Sequence, residues 1–465
     1  MSIEQEREAS AEAEDALVCR TKPVVPERAK RGGHSMPEAW KWVEGSIWTP
    51  RMVQALQDGV KGGVWYSLWD KIIRPESLKA AFAKVKANQG SPGTDHVSVE
   101  AYAGNLDRNL AELQDSLRKG RYRPSAVRRQ YIPKPGSKEL RPLGIPTVRD
   151  RTVQAALTAG IEPIFEREFA EHSYGFRPGR SAKDALTRVD RLLCAGYRWV
   201  VDVDLKSYFD TVPHDQLLRL VRERVADGKV LELIESFLKA TVQDGDTRWT
   251  PTVGTPQGGV VSPVLSNVYL NPLDHEMAGL GYEMTRYADD FIIQCNDEAQ
   301  ARCALEAVER WCSERGLTVH PIKTRIVEVT EVEGFDFLGF HFQMRRGQPN
   351  RTMKWPRDKA MKKLKGSIRL HTPRLAGHAI EVVIKRVSRT LRGFFRYFRA
   401  STLTPFRDLD AWIRMRLRSI LRRRQKRRGH GRGADHQRWP NIYFEQLGLF
   451  SMAKAWAAYR HPPSG

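Results

Sequence analysis

Two short stretches place carboxylates where a folding chain ordinarily avoids them. "TRYADDFIIQ" (285–294) sets Asp289 and Asp290 between a Tyr-Ala step and an apolar run, and "VVDVDLKSYFD" (200–210) carries Asp202, Asp204 and Asp210 along a second apolar run. Asp is depleted in strands, and buried carboxylates are costly unless paired or bound to metal. Carboxylates gathered in a low-dielectric site repel and protonate unless a cation joins them. Hard oxygen donors select Mg²⁺, with Mn²⁺ as a substitute. Two such ions about 3.5–4 Å apart activate an attacking hydroxyl and stabilise a leaving pyrophosphate, which is the chemistry of nucleotidyl transfer. Asp202 and Asp204 are two apart and share one face of a strand. The residues alone do not say which of them is the ligand.

The elements that must position these acids follow from periodicity. "YRWVVDVDL" (197–205) reads as a strand and "YEMTRYADDFIIQC" (282–295) as a hairpin with Asp289 and Asp290 at its tip. Helices are expected at 49–58, 150–170, 262–279 and 297–315, and a pair over 213–240. "SLWDKIIRPESLKAAFAKVKAN" reads as helix, break at Pro75, helix, with another over 107–119. Residues 128–146 predict a basic hairpin about Pro135-Gly136, 88–102 a loop, and 323–343 further strands. Single strands alternating with helix pairs predict an α+β architecture. No internal repeat is evident, and residues 1–35 have the composition of a disordered tail.

The formal net charge of +22 is local. Residues 351–433 hold 26 Lys/Arg against 4 Asp/Glu, and the rest of the chain is balanced. Such concentration points to a polyanion, most simply nucleic acid. Within it, Ile380, Ile384, Val387, Leu391, Phe394 and Phe398 fall on one helical face, and Leu409, Trp412, Ile413, Leu417, Ile420 and Leu421 on another, with Arg over the remainder. The stripes read as core, and the arginine faces are too dense to be only solubilising. The five cysteines form no C-x-x-C pair and read as reduced thiols of a cytoplasmic protein. No apolar run reaches the length of a membrane span.

"RYADDFII" resembles the catalytic motif of reverse transcriptases, and "DLKSYFDTVPH" resembles their other metal-binding motif. "GTPQGGVVSPVLSNVYLNPLD", "IPKPGSKELRPLGIPTVRDRTVQ", "SYGFRPGRSAKDAL", "GLTVHPIKTRI" and "FDFLGF" are similar to further motifs of the group II intron-encoded branch, in the same order from about residue 68 to 343. "LRGFFRYFR" and "LDAWIRMRLR" resemble its maturase segment, domain X. The resemblance implies a right-hand polymerase. A tail and extension would occupy 1–60, α+β fingers and palm 61–345, an all-helical thumb and domain X 346–435, and a short terminal element 436–465.

Carried over, the resemblance makes Asp204, Asp289 and Asp290 the catalytic acids, which hold two Mg²⁺ with the Leu205 carbonyl. Asp202 becomes a neighbour, and Asp210 a structural acid that caps the helix after Pro213. Lys134 and Arg141 would bind the triphosphate, Phe209 would exclude a 2′-hydroxyl, Gln257 would contact the nucleotide and Lys323 would serve as a general acid. Arg177 and Arg180 would touch template phosphates, and Arg392, Arg396, Arg414 and Arg418 RNA. The implied partners are group II intron RNA, an RNA template with a DNA primer, target DNA and dNTPs, in a cytoplasmic ribonucleoprotein with its oligomeric state open. Splicing and intron mobility would be its roles. Family members often end in a nuclease domain, and no cysteine follows Cys312, so none is expected here. Two rivals remain: a reverse transcriptase of a defence or CRISPR-associated system, and a splicing factor with an idle polymerase site.

Overall fold

A computed structural model describes residues 40, 42–58, 60, 63–133, 140–373, 377–427, 429–431 and 433–461. The chain forms two compact units. The first holds the described residues up to Val327, apart from a short piece at Leu193–Ala195, and the second runs from Glu328 onward.

The first unit is built on two sheets. Strands β1 (Val127–Pro133) and β2 (Leu140–Ile145) form the expected antiparallel hairpin, whose connecting turn lies outside the described residues. Strand β3 (Trp199–Asp204) belongs to the other sheet. Strands β4 (Val242–Asp244) and β5 (Thr247–Trp249) form a small hairpin that joins β1 by a parallel pairing, giving the order β2-β1-β4-β5. This hairpin was not expected, because three-residue strands are too short to show alternation. The other sheet adds β6 (Glu283–Tyr287), β7 (Asp290–Cys295) and β8 (Arg325–Glu328) in the order β6-β7-β3-β8.

The β3–β7 register is fixed by burial of one face. Val201 faces Ile293 and Val203 faces Phe291, all at most 1% exposed, so a slip of one residue would drive Asp202 and Asp204 into the core. The helix Glu298–Glu314 covers that core with Ala301, Ala304, Val308 and Trp311, and starts on the Asp297 carboxylate, which accepts from the Gln300 N–H at 2.8 Å. The helix Val148–Glu166 is buried along most of its length and capped by Thr147.

Local expectations hold where a cap or a proline marks the boundary. Pro75 opens the helix Pro75–Asn88, where its missing N–H costs nothing. The region read as a loop over 88–102 is shortened by a helix, Val99–Gly104, because Ser98 accepts from the Ala101 N–H. The extension expected before residue 60 is ordered from Trp42 to Asp58 and includes the helix Pro50–Asp58. Ile47, Trp48 and Leu56 are buried in the core, and the Trp48 indole donates to the Ala159 carbonyl at 2.9 Å. Residues 1–39 lie outside the described residues.

The second unit pairs a sheet with a helical cluster. Strands β9 (Phe335–Phe337), β10 (Phe340–Arg345) and β11 (Gln348–Pro356) run in the order β11-β10-β9. The second compact unit starts at Glu328, and the part beyond 345 opens on a strand where only helices were expected. The cause is aromatic packing: Phe340 lies 4.9 Å from the Phe398 ring, and the Tyr397 hydroxyl donates to the Leu338 carbonyl. The helices Asp358–His371, Ile380–Phe398 and Thr404–Arg424 follow, the latter two burying the predicted stripes except Phe394 and Trp412, which are only half-buried. The segment after 436 docks on them as expected. Buried Asp410 accepts from Ser451 Oγ and from the Met452 and Ala453 N–H groups, capping the helix Met452–Arg460. Among the described residues no helix is long and apolar enough to cross a membrane.

Candidate active site

Antiparallel pairing of β3 with β7 sets Asp204 directly opposite Asp290, so their side chains leave the same face of the sheet. Asp289 follows in the two-residue turn that joins β6 to β7, since Tyr287 pairs with Asp290 across it. The three acids come from two sequence stretches about 85 residues apart, and the strand register alone brings them to one end of one sheet.

Their electrostatics differ. Burial pushes the Asp289 carboxyl above its ordinary value. Its backbone hydrogen bond and the charge of Arg141 pull it back, while neighbouring Asp204 pushes it up. The charge of Arg141 on β2 is thus felt at the acidic tip. Asp204 is met by Lys323, whose Nζ lies 2.9 Å from Oδ2. Asp202 is met by Arg325 at 3.3 Å. Leu205 follows β3 and is held by flanking bonds, Lys206 N–H to the Thr318 carbonyl and His320 N–H to the Asp204 carbonyl.

Among the described residues no three His, Cys, Asp or Glu side chains are already drawn into one metal cage. The donor chemistry nevertheless fits a hard divalent cation. Three carboxylates and a main-chain carbonyl are oxygen donors, and one carboxylate is desolvated with no ion pair among the described residues.

A cleft of about 390 Å³ is lined by Phe209, Asp210, Gln257, Gly144, Arg129 and Trp249, among others. Phe209 and Gln257 meet there because the glycine-rich segment is pressed against both neighbours. Thr255 N–H donates to the Phe209 carbonyl at 2.6 Å, and Gly144 N–H to the Gln257 carbonyl at 2.6 Å. A Cβ on Gly258, whose φ is +111°, would stand 2.3 Å from the Gly144 carbonyl oxygen, so no other residue fits. Phe209 is half-buried, its ring edge-on to Tyr208 at 5.3 Å. Lys134 lies outside the described residues.

Reverse transcriptase (RNA-dependent DNA polymerase) is the family that matches residues 132–342, and the group II intron maturase-specific domain matches 361–439. The chain belongs to the group II intron-encoded reverse transcriptase/maturase family. It is 35% identical to Protein YkfC of Escherichia coli over 60% of this chain and 83% of that protein. It is 36% identical to the group II intron-encoded protein LtrA of Lactococcus lactis over 49% of this chain, and spans 38% of LtrA. Similarity extends to nuclear intron maturase 4 of Arabidopsis thaliana, 26% identical over 49% of this chain and 27% of that one. A Cas6-RT-Cas1–Cas2 complex aligns over 53% of this chain and 41% of that one at 28% identity, with a TM-score of 0.35, a likeness too weak to argue from.

Within this reverse transcriptase/maturase, several assignments change. Arg177 is buried. It forks onto Glu166 at 2.7 and 2.9 Å and donates to the Ala170 and Ser173 carbonyls, so it braces a loop and has no surface for template. Arg180 stays half-exposed, anchored to the Glu171 carbonyl and lying over the Tyr174 ring. Arg418 is also buried. It donates to the Trp439 carbonyl and Asn441 Oδ1 beneath the Phe444 ring, and burial pulls its guanidinium below its ordinary value. Arg392 and Arg396 are exposed and Arg414 half-exposed, as RNA contacts require. Asp210 caps nothing. It sits inside the one-turn helix Tyr208–Thr211, and the helix His214–Arg222 starts at Pro213 without a side-chain cap.

Sequence reasoning missed one residue wholly. Arg286 is 0% exposed and bound to Asp274, Asn267 and the Ala288 carbonyl. It lay inside the quoted hairpin motif, and nothing in its spacing marked it as buried.

Proposed function

We propose that this chain copies RNA into DNA at Asp204, Asp289 and Asp290, and that it binds its intron RNA through the basic helices of the second unit to promote splicing and intron mobility. The observation that carries the reading is the register pairing of Asp204 with Asp290 beside the desolvated Asp289.

Asp204, Asp289, Asp290 and the Leu205 carbonyl would hold two Mg²⁺. When bound, these ions supply Lewis-acid activation of the primer 3′-hydroxyl and charge for the leaving pyrophosphate. The chain's own residues do the rest. Arg141, and Lys134 seven residues before it in sequence, grip the triphosphate, the Arg through its planar fork. The Phe209 ring stands where a 2′-hydroxyl would go and so selects deoxynucleotides. Gln257 holds the nucleotide where glycines let the backbone approach. Lys323 lies close enough to Asp204 to pass a proton to the departing pyrophosphate once the carboxylate is otherwise engaged.

Arg392, Arg396 and Arg414 meet phosphates of structured RNA, read mainly by shape and backbone. Template RNA, DNA primer, target DNA and dNTPs complete the list of partners.

The test is primer extension on an RNA template with and without Mg²⁺, run beside an RNA-binding measurement. Metal-dependent DNA synthesis is expected. RNA binding without synthesis would overturn the polymerase reading and leave a splicing factor.

A further inference from the structure

The tip that carries the catalytic acids is conformationally unfavourable on its own. Ala288, first residue of the two-residue turn, has a φ of +61°, a left-handed conformation that favours glycine. A methyl-bearing residue there needs surroundings that hold it.

Arg286 supplies them. Its side chain is wholly buried, and four of its N–H groups are spoken for. Nε and Nη2 grip the two oxygens of Asp274, the first at 2.7 Å. Nη1 donates to Asn267 Oδ1 and to the Ala288 carbonyl, both at 2.9 Å. Asn267 and Asp274 are seven residues apart on the helix Ser262–Gly279, hence on one face two turns apart. The Asn267 amide donates in turn to the Gly175 carbonyl at 2.8 Å. Gly175 closes the other side, because a Cβ there would stand 2.2 Å from the Ala288 nitrogen. Arg286 also pairs through its backbone with the same loop, accepting from Tyr174 N–H and donating to the His172 carbonyl.

Asp274 pairs with Arg286, and the guanidinium charge, though it pulls the Asp289 carboxyl down, is the smallest of the influences acting on that acid. What remains is geometry: a planar fork oriented on one side by a carboxylate, with its free edge fixed on the carbonyl that precedes Asp289.

We propose that Arg286 is a positioning residue for catalysis, holding the Ala288 carbonyl from the Asp274–Asn267 face of the helix so that Asp289 and Asp290 point at the reacting phosphate. The proposal rests on the polymerase reading of those acids. A Lys at this position keeps the charge but loses the fork.

The experiment compares full-length wild type, Arg286→Lys, and the double variant Arg286→Met/Asp274→Leu, in which an apolar pair replaces the buried ions. Three quantities are measured: kcat and KM for dNTP in primer extension, Mn²⁺ binding by EPR without substrate, and the melting temperature. Displacing reacting groups by an ångström costs about 100-fold in rate. Both variants are expected to lose about 100-fold in kcat with KM little changed, and to bind Mn²⁺ about 10-fold more weakly. A folded variant with kcat and Mn²⁺ binding near wild type overturns the proposal, whatever its melting temperature. Should both variants fail to fold, Asn267→Ser removes one support without stranding a charge. It is expected to lower kcat about 10-fold at an unchanged melting temperature, and wild-type kcat there overturns the proposal. A wild-type protein that binds Mn²⁺ but makes no DNA would sink the polymerase reading instead, with the Mn²⁺ comparison still deciding the role of Arg286.

Discussion

Lys323 Nζ lies 2.9 Å from Oδ2 of Asp204, the carboxylate assigned to metal. The pair is solvent-exposed, Lys323 at 58%, so its contribution to stability is small. Its consequence is competition, because the ammonium and a divalent cation seek the same oxygen. Lys323→Ala is expected to leave the melting temperature nearly unchanged, to lower the Mg²⁺ concentration for half-maximal activity, and to slow turnover about 10²-fold if the proton donor is lost. A rise in the Mg²⁺ requirement would count against competition.

Asp204→Ala and Asp289→Ala are expected to abolish DNA synthesis with intron RNA affinity within about twofold of wild type, since that affinity is assigned to phosphate contacts on the basic helices. Asp202→Asn is expected to be far milder, because Asp202 already meets Arg325. Equal losses at 202 and 204 in primer extension would mean that the wrong member of the pair was assigned to the metal.

The Asp289 carboxyl is raised above its ordinary value mainly by burial. The folded protein therefore holds that proton more tightly than the unfolded chain. The resulting stability is fully present below the ordinary carboxylate value and is lost as pH rises through the raised one. In metal-free buffer Asp289→Asn is expected to melt above wild type at neutral pH, with the gap closing in acid. Differential scanning calorimetry across pH reads this, and a variant that melts below wild type at neutral pH contradicts the burial argument.

The acids were legible in the sequence because their type was wrong for their surroundings, but their grouping into one site was implied by the family resemblance, and the pairing of Asp204 with Asp290 is seen only in the strand register. Arg286 was not legible, because one basic residue in an alternating strand looks solvated until its neighbours on another element are known. Arg177 misled for a related reason. A Gly/Pro-rich loop with two arginines reads as a phosphate grip, yet one arginine turned inward to Glu166 and two carbonyls. β11 was hidden because "QPNRTMKWP" alternates poorly, and only its pairing with β10 makes it a strand.

Phe209 is half-buried, lines the cleft with Gln257 and leans on Tyr208. Phe209→Val is expected to raise ribonucleotide incorporation relative to deoxynucleotide by about 10-fold or more, the range that a steric contact of about 1–3 kcal/mol commands. Competition assays with paired rNTP and dNTP read the ratio. An unchanged preference would return the ring to core packing.

The arginines of the second unit separate into two kinds, and one set of variants tests the division. Arg392 and Arg396 are exposed on the helix Ile380–Phe398, whereas Arg418 is buried against Trp439, Asn441 and Phe444. An exposed phosphate contact contributes affinity through counterion release, so losing one lowers the salt slope of binding by about 1. Arg392→Ala/Arg396→Ala is therefore expected to weaken intron RNA binding, to reduce the slope of log K against log salt by about 2, and to leave the melting temperature alone. Arg418→Ala strands the Trp439 carbonyl and Asn441 and opens a cavity. It is expected to cost about 3 kcal/mol or more in stability. At a temperature where that variant is still folded, its salt slope should match wild type. A reduced slope for folded Arg418→Ala, or an unchanged one for the double variant, would show that the phosphate-binding surface lies elsewhere on the unit.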